Sequence, residues 1–170
     1  MHIAYVCKPG RGAVDEVLAE AVAALTAQGL RLAGTVQSNT DRADRAHCDM
    51  DLRVLPDGPE FRISQDLGAE ARGCRLNPSA LEQAVVEAGA RLAGAELLVI
   101  NKFGKHEAEG RGFRDLIAEA LSQGMPVLLG VNALNLPAFV EFAGDLATAL
   151  PPDARAITAW VESARIARAA

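Results

Sequence analysis

Three lysines, Lys8, Lys102 and Lys105, stand in this chain against fourteen arginines, and all three fall in two short loops. One loop, Cys7-Lys8-Pro9-Gly10-Arg11-Gly12-Ala13-Val14, follows a short apolar run. The other, 101–111, reads Asn-Lys-Phe-Gly-Lys-His-Glu-Ala-Glu-Gly-Arg. With Arg11 and Arg111, five cationic groups would then surround one crevice of a chain whose formal net charge is −5. Cations focused in a cleft, beside the unpaired N–H groups of a helix N-terminus, hold anions. The candidate anion ligands are Lys8, Gly10, Arg11 and Gly12 on one side and Asn101, Lys102 and Lys105 on the other. The plainer alternative is that Lys102 and Lys105 are solvated charges paired with Glu107 and Glu109.

The first loop has the length and setting of the strand, turn and helix pattern G-x-x-x-x-G-K-[ST], whose backbone amides cradle phosphates. Cys7 stands at its first glycine and Gly12 at its second. Ala13 replaces the lysine that reaches the terminal phosphates, and Val14 the hydroxyl that holds magnesium. Lys8 could approach a phosphate from the other flank; equally, Pro-Gly-Arg-Gly is a plain strand-to-helix turn. Phosphoryl transfer needs lysine and magnesium to neutralise the phosphate oxygens, and a group that orients water. Asn101 offers magnesium an uncharged carbonyl and Lys102 would repel it, which leaves Glu107 as the candidate for orienting water.

His47, Cys48 and Cys74 would suit a soft metal if the intervening chain brought Cys74 back, since thiolate and imidazole are its preferred donors. No CxxC is present and buried structural cysteines are common, so no metal is assigned. Asp49 and Asp51, two apart on a strand, share a face and are expected to meet solvent or arginines. His106 and Glu107 are adjacent, so their side chains diverge and a solvated loop histidine is the simpler reading.

These loops must be held by elements that the apolar pattern marks out. Residues 2–7 form a β-rich run that Pro9 and Gly10 stop, and apolar positions 14, 17, 18, 21, 22 and 25 make a helical stripe closed by Gly29. Residues 30–36 read as a strand, 38–47 as a polar, mobile loop, and 48–63 as a hairpin around Pro56-Asp57-Gly58. Asn77-Pro78 starts a helix with Leu81, Val85, Ala88 and Leu92 on one face. Residues 96–101 and 126–131 are buried strands, separated by a helix bearing Phe113, Leu116, Ile117, Ala120 and Leu121. A helix over 137–146 follows, and 151–170 is an ambiguous tail in which Trp160 either docks the segment or marks a self-association surface. Phe103, Phe113, Phe139 and Phe142 belong to the core or the crevice wall. Apolar strands alternating with helices predict an α/β fold: a mostly parallel sheet covered on both sides, with an inserted antiparallel hairpin.

With 170 residues, 50% of them hydrophobic and 23% charged, the chain is expected to be one globular domain over 1–170. The negative balance disfavours nucleic acid, whose binding draws on counterion release. No apolar run reaches the ~18 residues of a membrane span, and the start lacks a charged leader, so the cytoplasm is the expected compartment. Three cysteines, an odd number and widely spaced, read as free thiols.

Several segments, taken in order, resemble a known family. They are Val6-Cys-Lys-Pro-Gly-Arg-Gly-Ala, the Cys48-Asp-Met-Asp-Leu-Arg-Val-Leu-Pro-Asp-Gly hairpin, Arg62-Ile-Ser-Gln-Asp-Leu-Gly, Ala71-Arg-Gly-Cys-Arg-Leu-Asn, and the stretch from Leu98 to Arg114. From about residue 2 to residue 147 the chain is similar to the THEP-type nucleoside triphosphatases, and more closely to a bacterial family related to them and often encoded beside molybdate-transport genes. The resemblance implies a P-loop-NTPase-like three-layer sandwich. In the triphosphatases the strand matching 97–101 ends in an Asp-Glu pair that orders magnesium and water, where this chain has Asn101-Lys102. The expectation is an anion- or nucleotide-binding protein with degenerate motifs, linked to molybdate or another oxyanion and not a competent magnesium-dependent hydrolase. Its partner would be a small anionic ligand, with self-association open. The alternatives are a triphosphatase or nucleotide-dependent transferase using Lys8 for the missing lysine, and an interaction subunit without a small ligand.

Overall fold

A computed structural model describes residues 2–41, 43, 48–65 and 75–169. Its centre is a seven-stranded sheet in the order β4-β3-β2-β5-β6-β1-β7. The strands β1 (Ile3–Val6), β5 (Leu97–Phe103), β6 (Val127–Val131) and β7 (Ala147–Leu150) run parallel, and β2 (Leu32–Thr40) joins them through β5. β3 (Asp49–Leu55) and β4 (Glu60–Arg62) continue the sheet antiparallel beyond β2. The hairpin expected near 48–63 is thus an extension of the main sheet, turning where Gly58 donates its N–H to the Val54 carbonyl.

The apolar runs in β5 and β6 have a simple cause. Successive side chains on a strand point to opposite faces, and both faces are covered. Leu97 and Val99 pack with Leu18, Val22 and Leu25 of α1 (Ala13–Ala27) and with Ile157 and Val161 of α6 (Ala154–Ala169). Leu98 and Ile100 face the other way, into the cluster that holds Leu81 and Ala84 of α2 (Pro78–Ala90), Ile117 of α4 (Arg114–Ser122) and Phe139 of α5 (Leu136–Ala143). Asn77 caps α2 as its sequence suggests, its side chain accepting from the Ala80 N–H at 3.2 Å, with Pro78 at the first helical position. Phe103, Phe113 and Phe139 are buried; Phe103 meets Phe139 edge-on at 5.2 Å and stacks with Phe142 at 5.3 Å.

Three stretches depart from the sequence expectation. Residues 38–40, expected to open a mobile loop, lengthen β2 by pairing with Asp51, Met50 and Asp49, because a strand whose backbone is paired needs no apolar side chains. The remainder of that expected loop lies largely outside the described residues. Residues 147–150 form the edge strand β7, which pairs through its backbone with β1 and carries little apolar pattern. The tail from 154 is helical, and Ile157, Val161 and Ala164 form its buried stripe, with Trp160 packed against the α1 side of the core. Trp160 thus docks this segment on the core. No helix among the described residues is long and apolar enough to cross a membrane.

Two contacts fix how these layers meet. The Glu96 carboxylate accepts from the Arg31 N–H at 3.0 Å and from the Arg165 guanidinium at 2.7 Å, joining the starts of β2 and β5 to α6. The Arg31 backbone bond first, and Arg165 next, hold its carboxyl below the usual range. A depressed folded value means that the contribution is present above the ordinary glutamate range near ~4.3 and lost as the pH falls through the depressed value. Glu96→Gln should lower the denaturation midpoint at neutral pH, and the gap to wild type should narrow steadily as the pH falls below the ordinary glutamate range. Second, a Cβ on Gly130 would lie 2.2 Å from the Asn101 carbonyl oxygen and 2.6 Å from Val14 Cγ1, so glycine lets β6 pass close under the start of α1. Gly130→Ala should cost ~1–3 kcal/mol through this overlap, and calorimetry should show Tm falling by several degrees.

Candidate functional site

Beyond the carboxyl end of β1 the chain turns through Gly10 (φ 107°) and Gly12 (φ 76°), both in the left-handed region, before α1 begins at Ala13. A residue with a Cβ would be strained at either position. Gly12 offers no side chain to cap α1, and the first turn of the helix instead carries Asp15 and Glu16. Lys8 is half-buried in this loop with no ion pair among the described residues. Arg11 is exposed and donates from Nη2 to Cys48 Sγ at 3.2 Å.

Asp15 is the centre of the arrangement. Only 3% exposed, it accepts from Asn101 Nδ2 at 2.8 Å, Asn39 Nδ2 at 2.6 Å, Gln37 Nε2 at 3.4 Å and Lys102 Nζ at 3.1 Å. Asn101, equally buried, uses its other end to accept the Gln37 N–H at 2.8 Å. A carboxylate can be buried this deeply because its charge is paired and its oxygens are hydrogen-bonded. The first turn of α1 is thereby tied to the end of β5 and to the outer half of β2.

The second loop is more ordered than its charges suggest. After β5 and Gly104 comes a short helix, α3 (Lys105–Ala108). Glu107, 3% exposed, accepts the Gly104 N–H at 2.9 Å and the Phe113 N–H at 3.1 Å. Lys105 and Arg111 both pair with Glu109, Lys105 at 3.5 Å. The Glu109 carboxyl is held below its usual range by the Arg111 hydrogen bond, with Lys105 adding to it.

The family model for Protein of unknown function (DUF2478) matches residues 3–160. The chain belongs to the DUF2478 family. It is also similar to the Molybdenum import ATP-binding protein ModC 2 of Bradyrhizobium diazoefficiens, 36% identical over 148 residues. That match takes in 86% of this chain and spans only 16% of the relative's length. Among solved structures, THEP1 from the hyperthermophile Aquifex aeolicus superposes with a TM-score of 0.64 over 96% of both chains, at 15% identity. The DUF2478 chain therefore has the P-loop-NTPase-like three-layer fold that the sequence resemblance implied.

The candidates named from the sequence are brought together only in part. Lys8, Gly10, Arg11 and Gly12 share one loop, and Asn101 and Lys102 reach its helix through Asp15. Asn101, expected to face an anion, has its side-chain oxygen and nitrogen engaged by Gln37 and Asp15. Lys102 pairs with Asp15, not with the glutamates of its own loop. Lys105 is exposed at the rim, and Glu107, expected to orient water, has one oxygen on each of two backbone N–H groups that close its own turn. His47 and Cys74 lie outside the described residues, and no three His, Cys, Asp or Glu side chains converge among the described residues. Asp49 and Asp51 do share a face, and Arg62 bridges them at 3.0 and 2.8 Å. Sequence reasoning missed Asp15, Gln37 and Asn39. The available signals were a charged residue three before Leu18 on the helix's apolar side, and polar residues recurring at every second position at the end of β2.

The pair is testable as a unit. Lys102→Met leaves the Asp15 charge without its counter-charge and should cost ~1–3 kcal/mol, below the limit for a fully buried pair because the lysine side chain is 38% exposed. Asp15→Asn with Lys102→Met should cost less than the sum of the two single changes, by ~0.5–3 kcal/mol in urea denaturation. Strict additivity would show that the contact is incidental.

Proposed function

We propose that this chain binds a phosphate-bearing nucleotide or a small oxyanion at the β1–α1 loop and does not carry out magnesium-dependent hydrolysis. The observation that carries this reading is the Asp15 to Lys102 pair at 3.1 Å. A hydrolytic site of this fold needs a lysine at the helix start and an acid at the strand end; here the acid is on the helix and the lysine on the strand. A magnesium ion at the end of β5 would meet the Lys102 ammonium and an Asn101 oxygen that already accepts the Gln37 N–H. Lys8 and Arg11 keep their charge unpaired among the described residues, beside a loop whose glycines turn backbone toward the helix start. That supports an anion there.

The likeness to a molybdenum import ATP-binding protein of Bradyrhizobium favours ATP as the nucleotide and molybdate as the oxyanion. Cys7 and Cys48 are free thiols, consistent with the reducing cytoplasm in which this reading places the protein.

Thermal shift with ATP, ADP, GTP, phosphate, sulfate and molybdate, each with and without magnesium at fixed ionic strength, tests the reading. A ligand at 100 times its Kd adds ~2.7 kcal/mol, a rise of roughly 5–10 °C for a domain of this size. Stabilisation by a nucleotide without magnesium is the expected result, and a response to molybdate alone would select the oxyanion. Lys8→Ala should weaken that binding about tenfold, ~1.4 kcal/mol, and leave the ligand-free Tm unchanged. A shift that requires magnesium and is followed by phosphate release would overturn the proposal in favour of a hydrolase. No shift with any anion would leave an interaction subunit.

A further inference from the structure

On the opposite face of the sheet from α1, beneath α2 and α3, lies a cavity of about 610 Å³. Its walls are apolar: Met50, Leu52, Ile63, Leu81 and Phe113 line it. Thr35 of β2 also lines it, and is fully buried with a hydroxyl that has no hydrogen-bond partner among the described residues. His106 contributes a second such atom, its buried Nδ1. Buried polar atoms are nearly always paired, and a few unpaired ones in an apolar chamber are how ligand sites orient their occupants. The volume is that of a small-molecule pocket.

The mouth supplies the charge preference. Lys102, Lys105 and Arg111 line it. Lys102 pairs with Asp15, while Lys105 and Arg111, both exposed at the rim, share the carboxylate of Glu109. Glu107, also in the lining, is 3% exposed and has its oxygens on backbone N–H groups, so the side chains open to direct contact at the rim are two cations and one carboxylate.

We propose that this cavity is a second ligand site, for a small monoanion with a flat apolar body: an aromatic ring system bearing one carboxylate or sulfonate. The body fills the space between β2, β3 and α2, Thr35 Oγ1 and His106 Nδ1 bond its polar edge, and the acidic group meets Lys105 and Arg111 at the mouth. This site goes beyond the anion loop of Lys8 and Arg11, which contributes no residue to the lining.

The test uses 8-anilinonaphthalene-1-sulfonate as the probe on the full chain, read by fluorescence and by Tm. One equivalent should saturate the signal and raise a single cooperative Tm. Thr35→Val, which keeps the shape and removes the hydroxyl, should weaken the probe several-fold. Arg111→Glu should weaken it about tenfold. Met50→Trp, which places an indole in the chamber at a half-buried wall position, should abolish saturable binding. Absence of saturable enhancement overturns the proposal, as does binding that Thr35→Val and Arg111→Glu leave unchanged. Competition by ATP would also overturn it, because the cavity would then belong to the nucleotide.

Discussion

A carboxylate buried in the first turn of a helix must be neutralised and fully hydrogen-bonded, and around Asp15 that requirement organises much of the molecule. Two separate strands answer it: the Lys102 ammonium and Asn101 amide come from the end of β5, and Asn39 and Gln37 from β2. β2 runs well past its apolar half for this reason, since its last residues bring Gln37 and Asn39 to the carboxylate while its backbone is paired by β3. Gly130 belongs to the same constraint, because any side chain there would push β6 away from both Val14 and the Asn101 backbone. Such a buried pair adds little net stability over apolar residues of equal volume, but removing one member leaves the other's desolvation unrepaid. Its effect is to fix where α1 begins relative to the sheet.

That fixing has an electrostatic consequence. The sequence assembles five cations around the carboxyl edge of the sheet, yet they are not equally available. Lys102 is committed to Asp15, and Lys105 and Arg111 to Glu109. Among the described residues Lys8 and Arg11 remain without a carboxylate partner, and they flank the loop whose glycines bend it toward the helix start. Charge focusing is therefore narrower than the residue inventory implies, and it favours the β1–α1 loop over the loop that follows β5. The resemblance to THEP1, at 15% identity, concerns the arrangement of strands and helices and says nothing about the residues that fill this loop.

Much of the fold was legible because its signals were local. The continuous apolar runs of β5 and β6, the Asn77-Pro78 start of α2 and the turn at Pro56-Asp57-Gly58 all act within a few residues. β7 was not legible: Ala147-Thr-Ala-Leu150 is an edge strand whose stability comes from backbone pairing to β1, a partner far away in the sequence. The helix after it was obscured by a stripe of small residues and arginines in which only Ile157, Val161 and Ala164 are buried. At the site, residue types identified the two loops but not the pairings. Lys102 finds its counter-charge 87 positions away, and Glu107 turns inward because the Gly104 and Phe113 N–H groups need acceptors in a turn too tight for backbone carbonyls to serve. Glutamate in a charged loop reads as solvated; only the closed turn shows it as a staple.

Lys102 occupies a position with two faces, and this links the two halves of the molecule. Its ammonium neutralises Asp15 beneath α1, while its side chain lines the cavity under α2. An anion that draws the ammonium toward the cavity weakens its hold on Asp15 and raises the cost of keeping that carboxylate buried. An anion at the β1–α1 loop acts on the same pair from the other side, by repelling Asp15. Were both proposed sites to bind, their ligands would bias one shared ion pair, and by thermodynamic linkage whatever the first did to the affinity for the second, the second would do in equal measure to the first. The sign follows from the geometry: a cavity ligand that pulls Lys102 away leaves Asp15 less neutralised next to the loop, so an anion there is bound less tightly. Gln37 and Asn101 share this double placement, since both donate to Asp15 and both line the cavity, but Lys102 alone of the three brings a charge.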